Sequence, residues 1–464
     1  MAEFSDDYSH AFICFSIAQI NNVFNPKYEN TLGCFYSSAP KPLLHIEIRG
    51  IIWYNKRKAF IIVYYFYLNC PRRFANQRFA SCVSDDYTIT LHSDGGKMEK
   101  TDKPIRVAQM MTYMNYGGVE MAVMNYYRHI DRTKIQFDFF ALEGSTIPQR
   151  EEIERLGGRV YVVPKYTNLC RYEKAIIEKF RENNYPIVHS HMNTLSVFSL
   201  RGAKKAGIPN RIAHNHSTIG KGETKKNIIK YALRPFAKKY PTRLCACSEF
   251  AGRWLYGSRA EFTVIKNAIE PQKYKYDENK RRALRAELHI EDKFVIGHIG
   301  RFCFQKNQEF LIDVFSEAVK KNPDSVLLFV GEGENEDLIR NKVKTFGLED
   351  NVLFMGRRAN ACDFYQAMDC FVLPSRYEGF GIVAIEAQAS GLPVVCSTCV
   401  PAEVKVTDSV SFLSLQDSPE KWAQEITEKK AVRKDMTAVL TEAGYDIETE
   451  AHVLLDYYLD LLKV

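Results

Sequence analysis

The sequence predicts an α/β fold built from two doubly wound units, in which parallel strands alternate with helices. From Ile105 onward, short apolar segments bounded by turn residues alternate with segments of helical periodicity. These segments fall into two series, and Pro271 ends the pattern between them. The chain has 464 residues, more than one core accommodates, so two or three domains are expected.

Each series contains six strand-like segments, with helices expected between them. The first series is 105–110, 137–142, 160–163, 187–190, 211–214 and 244–246. The second series is 263–266, 294–299, 326–330, 352–355, 370–373 and 393–396. A last helix is expected over 447–462. We therefore divide the chain into an N-terminal extension over 1–103, a first domain over 104–266, a second domain over 267–445 and a terminal helix over 446–464.

The first 97 residues differ from the rest of the chain. They are rich in aromatic side chains and lack sustained helical or strand periodicity. Gly95 and Gly96 stand just before Met98, and codons for two glycines can form a purine-rich ribosome-binding sequence ahead of a start codon. Our hypothesis is that the natural start is Met98 and that an incorrect start adds residues 1–97. The alternative is a genuine accessory domain.

Charge is unevenly distributed along the chain. The net charge of +7 is too small to indicate a nucleic-acid partner. Between residues 221 and 243, Glu223 is the single acid among these basic residues: Lys221, Lys225, Lys226, Lys230, Arg234, Lys238, Lys239 and Arg243. Apolar residues recur there at roughly helical spacing: Ile228, Ile229, Leu233, Phe236 and Ala237. Two interpretations stay open, a helix that lies on anionic lipid headgroups or a solvated helix with its apolar stripe in the core.

Neither the cysteines nor the apolar segments indicate secretion or membrane insertion. The cysteines are irregularly spaced in a large chain, so no disulfide framework is predicted and a reducing cytoplasm fits best. No segment reaches the roughly 18 apolar residues that a spanning helix needs. We expect a cytoplasmic protein, peripheral at the inner face of the cell membrane if residues 221–243 bind lipid.

Residues 374–395 form the most informative segment, a glycine-broken loop that opens an apolar helix. Gly379 and Gly381 allow close approach of the backbone to a bound group, and the free N–H groups near Ile382 favour an anion. Glu378 and Glu386 are eight positions apart, which spans at most ~12 Å in a helix. The two carboxylates could therefore meet both ends of a nucleotide diphosphate sugar. The alternative is that Glu378 caps the helix and Glu386 is a solvated surface residue.

Two cations follow the predicted strand 294–299. Gly300 and Arg301 come directly after it, and Lys306 and Asn307 follow before a helical segment. Open parallel sheets bind ligands at the carboxyl ends of their strands. Arg301 and Lys306 are therefore predicted to neutralise a diphosphate there.

Four histidines are concentrated at the ends of two predicted strands. His189 and His191 form one pair, and His214 and His216 form the other. Alternation along a strand places both members of a pair on one face. Such a cluster could hold zinc, which makes a metal-dependent hydrolase the alternative function. No Asp or Glu accompanies either pair.

Six segments together resemble the retaining GT-B glycosyltransferases of family 4. They are 117–120, 189–191, 214–217, 300–307, 331–333 and 378–386, and they occur in the family's order within roughly 105–464. The resemblance implies two Rossmann-like domains facing a cleft, with the terminal helix crossing back to the first domain. It also implies transfer of a sugar from a nucleotide diphosphate sugar, UDP-linked, to a lipid-linked glycan acceptor in the manner of bacterial capsule and exopolysaccharide enzymes.

The resemblance assigns a role to each matching residue. Catalytic roles fall to His216, Arg301, Lys306 and Glu378. Donor-binding roles fall to Gly118, Gly300, Asn307, Gly379, Phe380, Gly381, Ile382 and Glu386. The acceptor or cleft residues are Gly117, His191, His214 and Ser217, where Ser217 occupies a position that is commonly Thr. Within this scheme Glu378 binds hydroxyls of the transferred sugar, Glu386 binds the ribose hydroxyls, His189 is a buried side chain, and no metal or other cofactor is needed.

Overall fold

The computed structural model describes the strand residues 8–9, 11–12, 46–53, 61–68, 70–71 and 92–93, and then residues 103–115, 117–218, 224–358, 360–429 and 433–463. Residues Met1–Asp102 and Lys103–Val464 form two separate units. In the first unit the structure gives strands at Tyr8–Ser9, Ala11–Phe12, Ile46–Trp53, Ile61–Leu68, Cys70–Pro71 and His92–Ser93. Ile46–Trp53 pairs antiparallel with Ile61–Leu68. The hypothesis of a start at Met98 lies outside the described residues.

Two parallel sheets organise the second unit. The first sheet has seven strands: β1 Ile105–Met110, β2 Ile135–Leu142, β3 Arg159–Val163, β4 Ile187–Ser190, β5 Asn210–Asn215, β6 Arg243–Ala246 and β7 Thr263–Val264. Its spatial order is β7-β6-β5-β4-β1-β2-β3. The second sheet has six strands: β8 Phe294–Ile299, β9 Ser325–Val330, β10 Val352–Phe354, β11 Cys370–Leu373, β12 Val394–Ser397 and β13 Val410–Leu413. Its order is β10-β9-β8-β11-β12-β13.

Helices connect the strands throughout the second unit. They are α1 Gly118–His129, α2 Arg150–Arg155, α3 Leu169–Asn183, α4 Ser196–Ala206, α5 Thr224–Leu233, α6 Glu249–Tyr256, α7 Pro271–Tyr274, α8 Glu278–Glu287, α9 Gln308–Lys321, α10 Glu336–Thr345, α11 Ala361–Ala367, α12 Ile382–Ala389, α13 Pro419–Glu428, α14 Thr437–Glu442 and α15 Ile447–Asp460. The prediction of two doubly wound α/β units is confirmed. None of the helices within the described ranges is long and apolar enough to span a bilayer.

The strand predictions need two corrections. The segment predicted over 263–266 as the start of the second series is β7, which pairs parallel with β6 through Cys245 and Thr263 and so belongs to the first sheet. The strand β13 was not predicted, although it pairs along its whole length with β12. The division of the chain at 266/267 stays a prediction. The last strand of the first sheet ends at Val264, and the first strand of the second sheet begins at Phe294.

The terminal helix α15 packs against elements of the first sheet. It begins after Asp446, whose side chain accepts a hydrogen bond from the N–H of Glu448. Its buried residues Leu454 and Tyr458 share one apolar cluster with Val107 of β1. Helix α15 therefore joins the last residues of the described chain to the core of the first domain.

Candidate active site

Glu378 occupies the switch point of the second sheet. Strand β8 lies between β9 and β11, so the loops that follow β8 and β11 meet at the same edge of the sheet. The carboxylate of Glu378 is buried there and accepts a hydrogen bond at 2.7 Å from Nζ of Lys306, one at 3.0 Å from Nε2 of Gln305 and one at 2.8 Å from Oγ of Ser375. A cation and an acid from two different loops therefore form one polar cluster.

The glycine loop after Glu378 lies against the first domain. A Cβ on Gly379 would come within 1.9 Å of the carbonyl oxygen of His216, so only glycine fits at this contact. Oγ of Ser248 donates a hydrogen bond at 3.2 Å to the carbonyl of Gly379. Gly381 adopts φ +100° and precedes the first residue of α12. The residue that follows Glu378 therefore lies directly against the backbone of His216.

Glu386 lies on α12 among tyrosine hydroxyl groups. Oη of Tyr365 donates a hydrogen bond at 2.7 Å to its Oε2, and Tyr274 also hydrogen-bonds to the carboxylate. Burial raises the pKa of Glu386 above the ordinary carboxyl value, although both tyrosines and the charge of Lys306 act in the opposite direction. Lys306 therefore interacts with both acids that the sequence singled out.

Arg301 points to a different partner. Its guanidinium pairs with Glu334, at 3.0 Å from Nε and 2.9 Å from Nη2, and its side chain is 72% exposed. The structure therefore brings Lys306 to Glu378 but leaves Arg301 in a solvent-exposed ion pair beside the loop.

Three more of the predicted donor residues follow strands β8 and β11. Asn307 is buried, and its Nδ2 donates a hydrogen bond at 3.1 Å to the carbonyl of Pro374, which joins the loops after β8 and β11. A Cβ on Gly300 would lie 3.3 Å from Cε of Lys306. The ring of Phe380 stacks on Tyr445 with centroids 5.5 Å apart, so its side chain is part of the core.

The four histidines form one buried cluster at the carboxyl ends of β4 and β5, two inner strands of the first sheet. Nε2 of His189 lies 3.1 Å from Nδ1 of His214, and Nδ1 of His191 lies 2.9 Å from Nε2 of His216. Two further groups complete the network. Nδ1 of His189 contacts Oη of Tyr458 at 2.6 Å, and Nε2 of His191 contacts Oε1 of Gln109 at 2.9 Å.

Burial keeps these imidazoles neutral. It lowers the pKa of His189 to about 3 and that of His216 to about 4. Burial also lowers the pKa of His191 and His214 well below the ordinary value, and the neighbouring imidazoles act in the same direction. Each ring therefore carries a single N–H at neutral pH, and its second nitrogen is an acceptor.

A small cavity borders the histidine cluster. Its volume is about 20 Å³, and α1 and α15 contribute Tyr126 and Tyr458 to its walls. Nitrogens of His189, His191 and His214 lie within 4.8 Å of one another, the right range for a metal. However, the cavity holds about one water molecule, so it leaves no room for the substrate of a hydrolase.

The other cleft residues of the first domain are held by local hydrogen bonds. The carboxylate of Glu120 accepts from the N–H groups of Asn115 at 2.9 Å and Gly117 at 2.5 Å, which fixes the glycine turn where α1 begins at Gly118. Ser217 follows the histidine cluster, and its Oγ accepts a hydrogen bond at 2.8 Å from Nδ2 of Asn193.

Comparison with known proteins identifies the family. Residues 116–273 match the family described as Glycosyltransferase Family 4, and residues 279–445 match Glycosyl transferases group 1. The putative glycosyltransferase EpsF of Bacillus subtilis is 32% identical over 373 residues, which covers 76% of this chain and 96% of that protein. The chain belongs to the family 4 type of glycosyltransferases.

Other relatives and solved structures agree with this assignment. A UDP-Gal:alpha-D-GlcNAc-diphosphoundecaprenol alpha-1,3-galactosyltransferase of Escherichia coli is 27% identical over 317 residues, 65% of this chain and 81% of that enzyme. The crystal structure of Anabaena HepE with UDP and glucose superimposes with a TM-score of 0.65 at 19% identity, covering 76% of this chain and 99% of HepE. The fold of this glycosyltransferase is therefore GT-B, and nothing in the comparisons supports the hydrolase alternative.

Six side chains of the glycosyltransferase site were missed by the sequence reasoning. They are Gln305 and Ser375 around Glu378, Tyr274 and Tyr365 around Glu386, and Gln109 and Tyr458 around the histidines. Gln305 and Ser375 could have been predicted from the sequence, because they lie inside the segments 300–307 and 374–395 that were already identified. The other four come from helices and a strand distant in sequence, where no local pattern marks them.

Proposed function

We propose that this glycosyltransferase moves a sugar from a UDP-sugar to a lipid-linked glycan acceptor, with retention of anomeric configuration, in surface polysaccharide biosynthesis. The observation that carries the proposal is the buried cluster of Lys306 and Glu378 at the switch point, next to the backbone of His216. The E. coli relative is named for a UDP-sugar donor and a diphosphoundecaprenol-linked acceptor, and a Staphylococcus aureus relative is named for capsular polysaccharide biosynthesis.

The charges of the cluster suit departure of a diphosphate. Breaking the bond between the anomeric carbon and the diphosphate leaves negative charge on phosphate and positive character on the sugar ring. The ammonium group of Lys306 and the N–H groups at the start of α12 would hold the phosphate charge before the reaction begins. Glu378 would accept hydrogen bonds from hydroxyls of the sugar, and Glu386 would accept those of the ribose.

Retention follows from attack on the same face that the diphosphate leaves. In this scheme the acceptor hydroxyl enters beside the departing phosphate and passes its proton to a phosphate oxygen as the bond to the anomeric carbon forms. No side chain forms a covalent intermediate. Closure of the two domains would exclude water, which otherwise hydrolyses the donor. The proposal includes no metal, because Lys306 and a reoriented Arg301 serve the diphosphate directly.

A panel of nucleotide sugars tests the donor. Each is scored for thermal stabilisation of the protein and for slow release of nucleoside diphosphate. We expect UDP-sugars to raise the melting temperature and one of them to be turned over, with little effect of a chelator. Strong inhibition by a chelator would contradict the metal-free mechanism, and a response to other nucleotides alone would contradict the choice of UDP.

Product analysis tests the stereochemistry and the acceptor. A synthetic acceptor that carries a diphosphate and a short lipid is glycosylated, and proton NMR of the new anomeric centre gives its configuration. We expect the configuration of the donor to be retained. An inverted product would overturn the retaining mechanism, whereas transfer to lipid-free sugars at an equal rate would overturn the lipid-linked acceptor.

A further inference from the structure

Helix α5 presents its apolar residues to solvent. Ile228 is 64% exposed and Ile229 is 50% exposed. Ala232, one turn after Ile228, is also exposed, so the three residues share one outward face. Among the apolar residues that define the stripe in sequence, Ala237 is the buried one. The apolar stripe of this segment is therefore not in the core, which contradicts the interpretation of an ordinary solvated helix.

The exposed face continues beyond the end of α5. The 3₁₀ turn Arg234–Phe236 follows directly, and the ring of Phe236 is 46% exposed. The ammonium group of Lys239 lies 5.8 Å from the centre of that ring. We call Ile228, Ile229, Ala232 and Phe236 the apolar face of α5.

Two exposed lysines follow the apolar face in the chain. Lys238 and Lys239 are exposed on the same segment, and the sequence has no Asp or Glu between Thr224 and Ser248. Apolar side chains on a segment that carries cations and no acid of its own match a bilayer of anionic phospholipid. The acyl boundary accepts the apolar groups, and the headgroups attract the cations.

The position of α5 links this surface to the site. Nζ of Lys230 donates a hydrogen bond at 2.7 Å to the carbonyl of Thr218. Thr218 directly follows Ser217 and the histidine cluster, and Ser217 is held in turn by Asn193. A lipid anchored beside α5 would thus have its headgroup close to the acceptor side of the cleft.

We propose that the apolar face of α5 and the cations Lys238 and Lys239 dock this enzyme on an anionic phospholipid bilayer. The docking would present a lipid-linked acceptor to the cleft, and only this consequence rests on the proposed function. Binding to the bilayer is independent of any sugar transfer, so the two ideas can fail separately.

Vesicle sedimentation with the full chain tests the proposal. Vesicles of phosphatidylglycerol and phosphatidylethanolamine are compared with vesicles of phosphatidylcholine alone, without any sugar. We expect binding to the anionic vesicles that weakens as salt is added. The paired change Ile228→Ser with Ile229→Ser should reduce binding at least about tenfold. The paired change Lys238→Gln with Lys239→Gln should reduce it about fivefold for each cation removed.

Matched controls come from the second domain. Leu338 and Phe346 are 50% and 45% exposed, close to the values of Ile229 and Phe236. Leu338→Ser with Phe346→Ser, and Lys320→Gln with Lys321→Gln, should leave vesicle binding unchanged. An equal loss in these controls, or equal binding to both vesicle types, would overturn the proposal.

Two further measurements distinguish lipid docking from dimer formation and from a failure of sugar transfer. Light scattering without vesicles should show the same mass for the native protein and the α5 variants. A dimer that the isoleucine substitutions dissociate would assign the face to a second copy of the chain and overturn lipid docking. Release of nucleoside diphosphate in the absence of lipid should be unaffected by the α5 substitutions, so a failure of sugar transfer is recognised independently.

Discussion

The ammonium group of Lys306 lies 2.7 Å from Oε1 of Glu378, and the two side chains are only 16% and 7% exposed. Removing one member of such a pair leaves the other charge without its partner in a poorly solvated site. We expect Lys306→Met to lower the free energy of unfolding by ~3 kcal/mol. The same change should lower kcat/KM by two to three decades, because the diphosphate loses its fixed cation. Urea unfolding and steady-state kinetics measure the two effects.

The double variant separates stability from catalysis. Combining Lys306→Met with Glu378→Gln removes both charges, so most of the lost stability should return. Activity should stay at the level of the single variants. A double variant that recovers activity together with stability would mean that the pair only supports the fold.

Arg301 provides the opposite case. Its ion pair with Glu334 is exposed, and such pairs contribute at most ~1 kcal/mol. Arg301→Ala should therefore leave the urea midpoint nearly unchanged. Turnover should fall by about two decades, because the diphosphate loses a guanidinium that moves from Glu334 to meet it. Glu334→Gln is the matched control and should retain activity. If Arg301→Ala leaves turnover intact, Arg301 has no part in donor binding.

The sequence predicted the sheets better than it predicted the site. Strands such as 294–299 are buried on both faces, so their apolar runs and turn residues are visible without tertiary information. Lys306 and Glu378 were placed together because each follows a strand of the same parallel sheet. The pairing of Arg301 with Glu334 could not be predicted, since the partner of a long exposed side chain depends on which residues the fold brings near it. Neither could the contact of Tyr365 with Glu386, which depends on how two helices pack.

The protonation of Glu386 should govern nucleotide binding. Burial raises the pKa of Glu386, and hydrogen bonds from Tyr365 and Tyr274 lower it in part. An ionised carboxylate accepts hydrogen bonds from ribose hydroxyls, so UDP affinity should be full at high pH and fall as pH drops through the pKa of Glu386. Tyr365→Phe removes one of the stabilising bonds, and the fall should then begin at a higher pH.

Calorimetric titration of UDP across the acid range measures this shift. Tyr161→Phe serves as the control, because Tyr161 lies in β3 of the other sheet and its removal should not move the profile. A Tyr365→Phe profile that coincides with the native one would show that Glu386 does not bind the nucleotide in its ionised form.

Gln109 sets the positions of the protons in the histidine cluster. Its Nε2 donates to Oη of Tyr458 at 3.2 Å, so the hydroxyl of Tyr458 donates to Nδ1 of His189. His189 must then donate from Nε2 to His214, whose proton lies on its own Nε2. We therefore expect Nε2–H on both rings.

The carbonyl oxygen of the Gln109 amide determines the proton positions of the second pair, His191 and His216. Oε1 of Gln109 accepts from Nε2–H of His191, which leaves Nδ1 of His191 to accept from Nε2–H of His216. His216 then keeps an unprotonated Nδ1 on the side of the ring away from His191. Long-range proton–nitrogen NMR spectra should show the Nε2–H form for all four rings at neutral pH.

Gln109→Glu tests these proton positions. It preserves the oxygen that accepts from His191 and replaces the amide N–H₂ that donates to Tyr458. A carboxylate still accepts from His191, so the proton positions of His191 and His216 should be unchanged. The second carboxylate oxygen cannot donate to Tyr458, so the tyrosine hydroxyl should turn toward it and accept from Nδ1–H of His189. His189 and His214 should then change to the Nδ1–H form. Spectra in which all four rings change together, or none does, would show that the amide does not fix the two pairs separately.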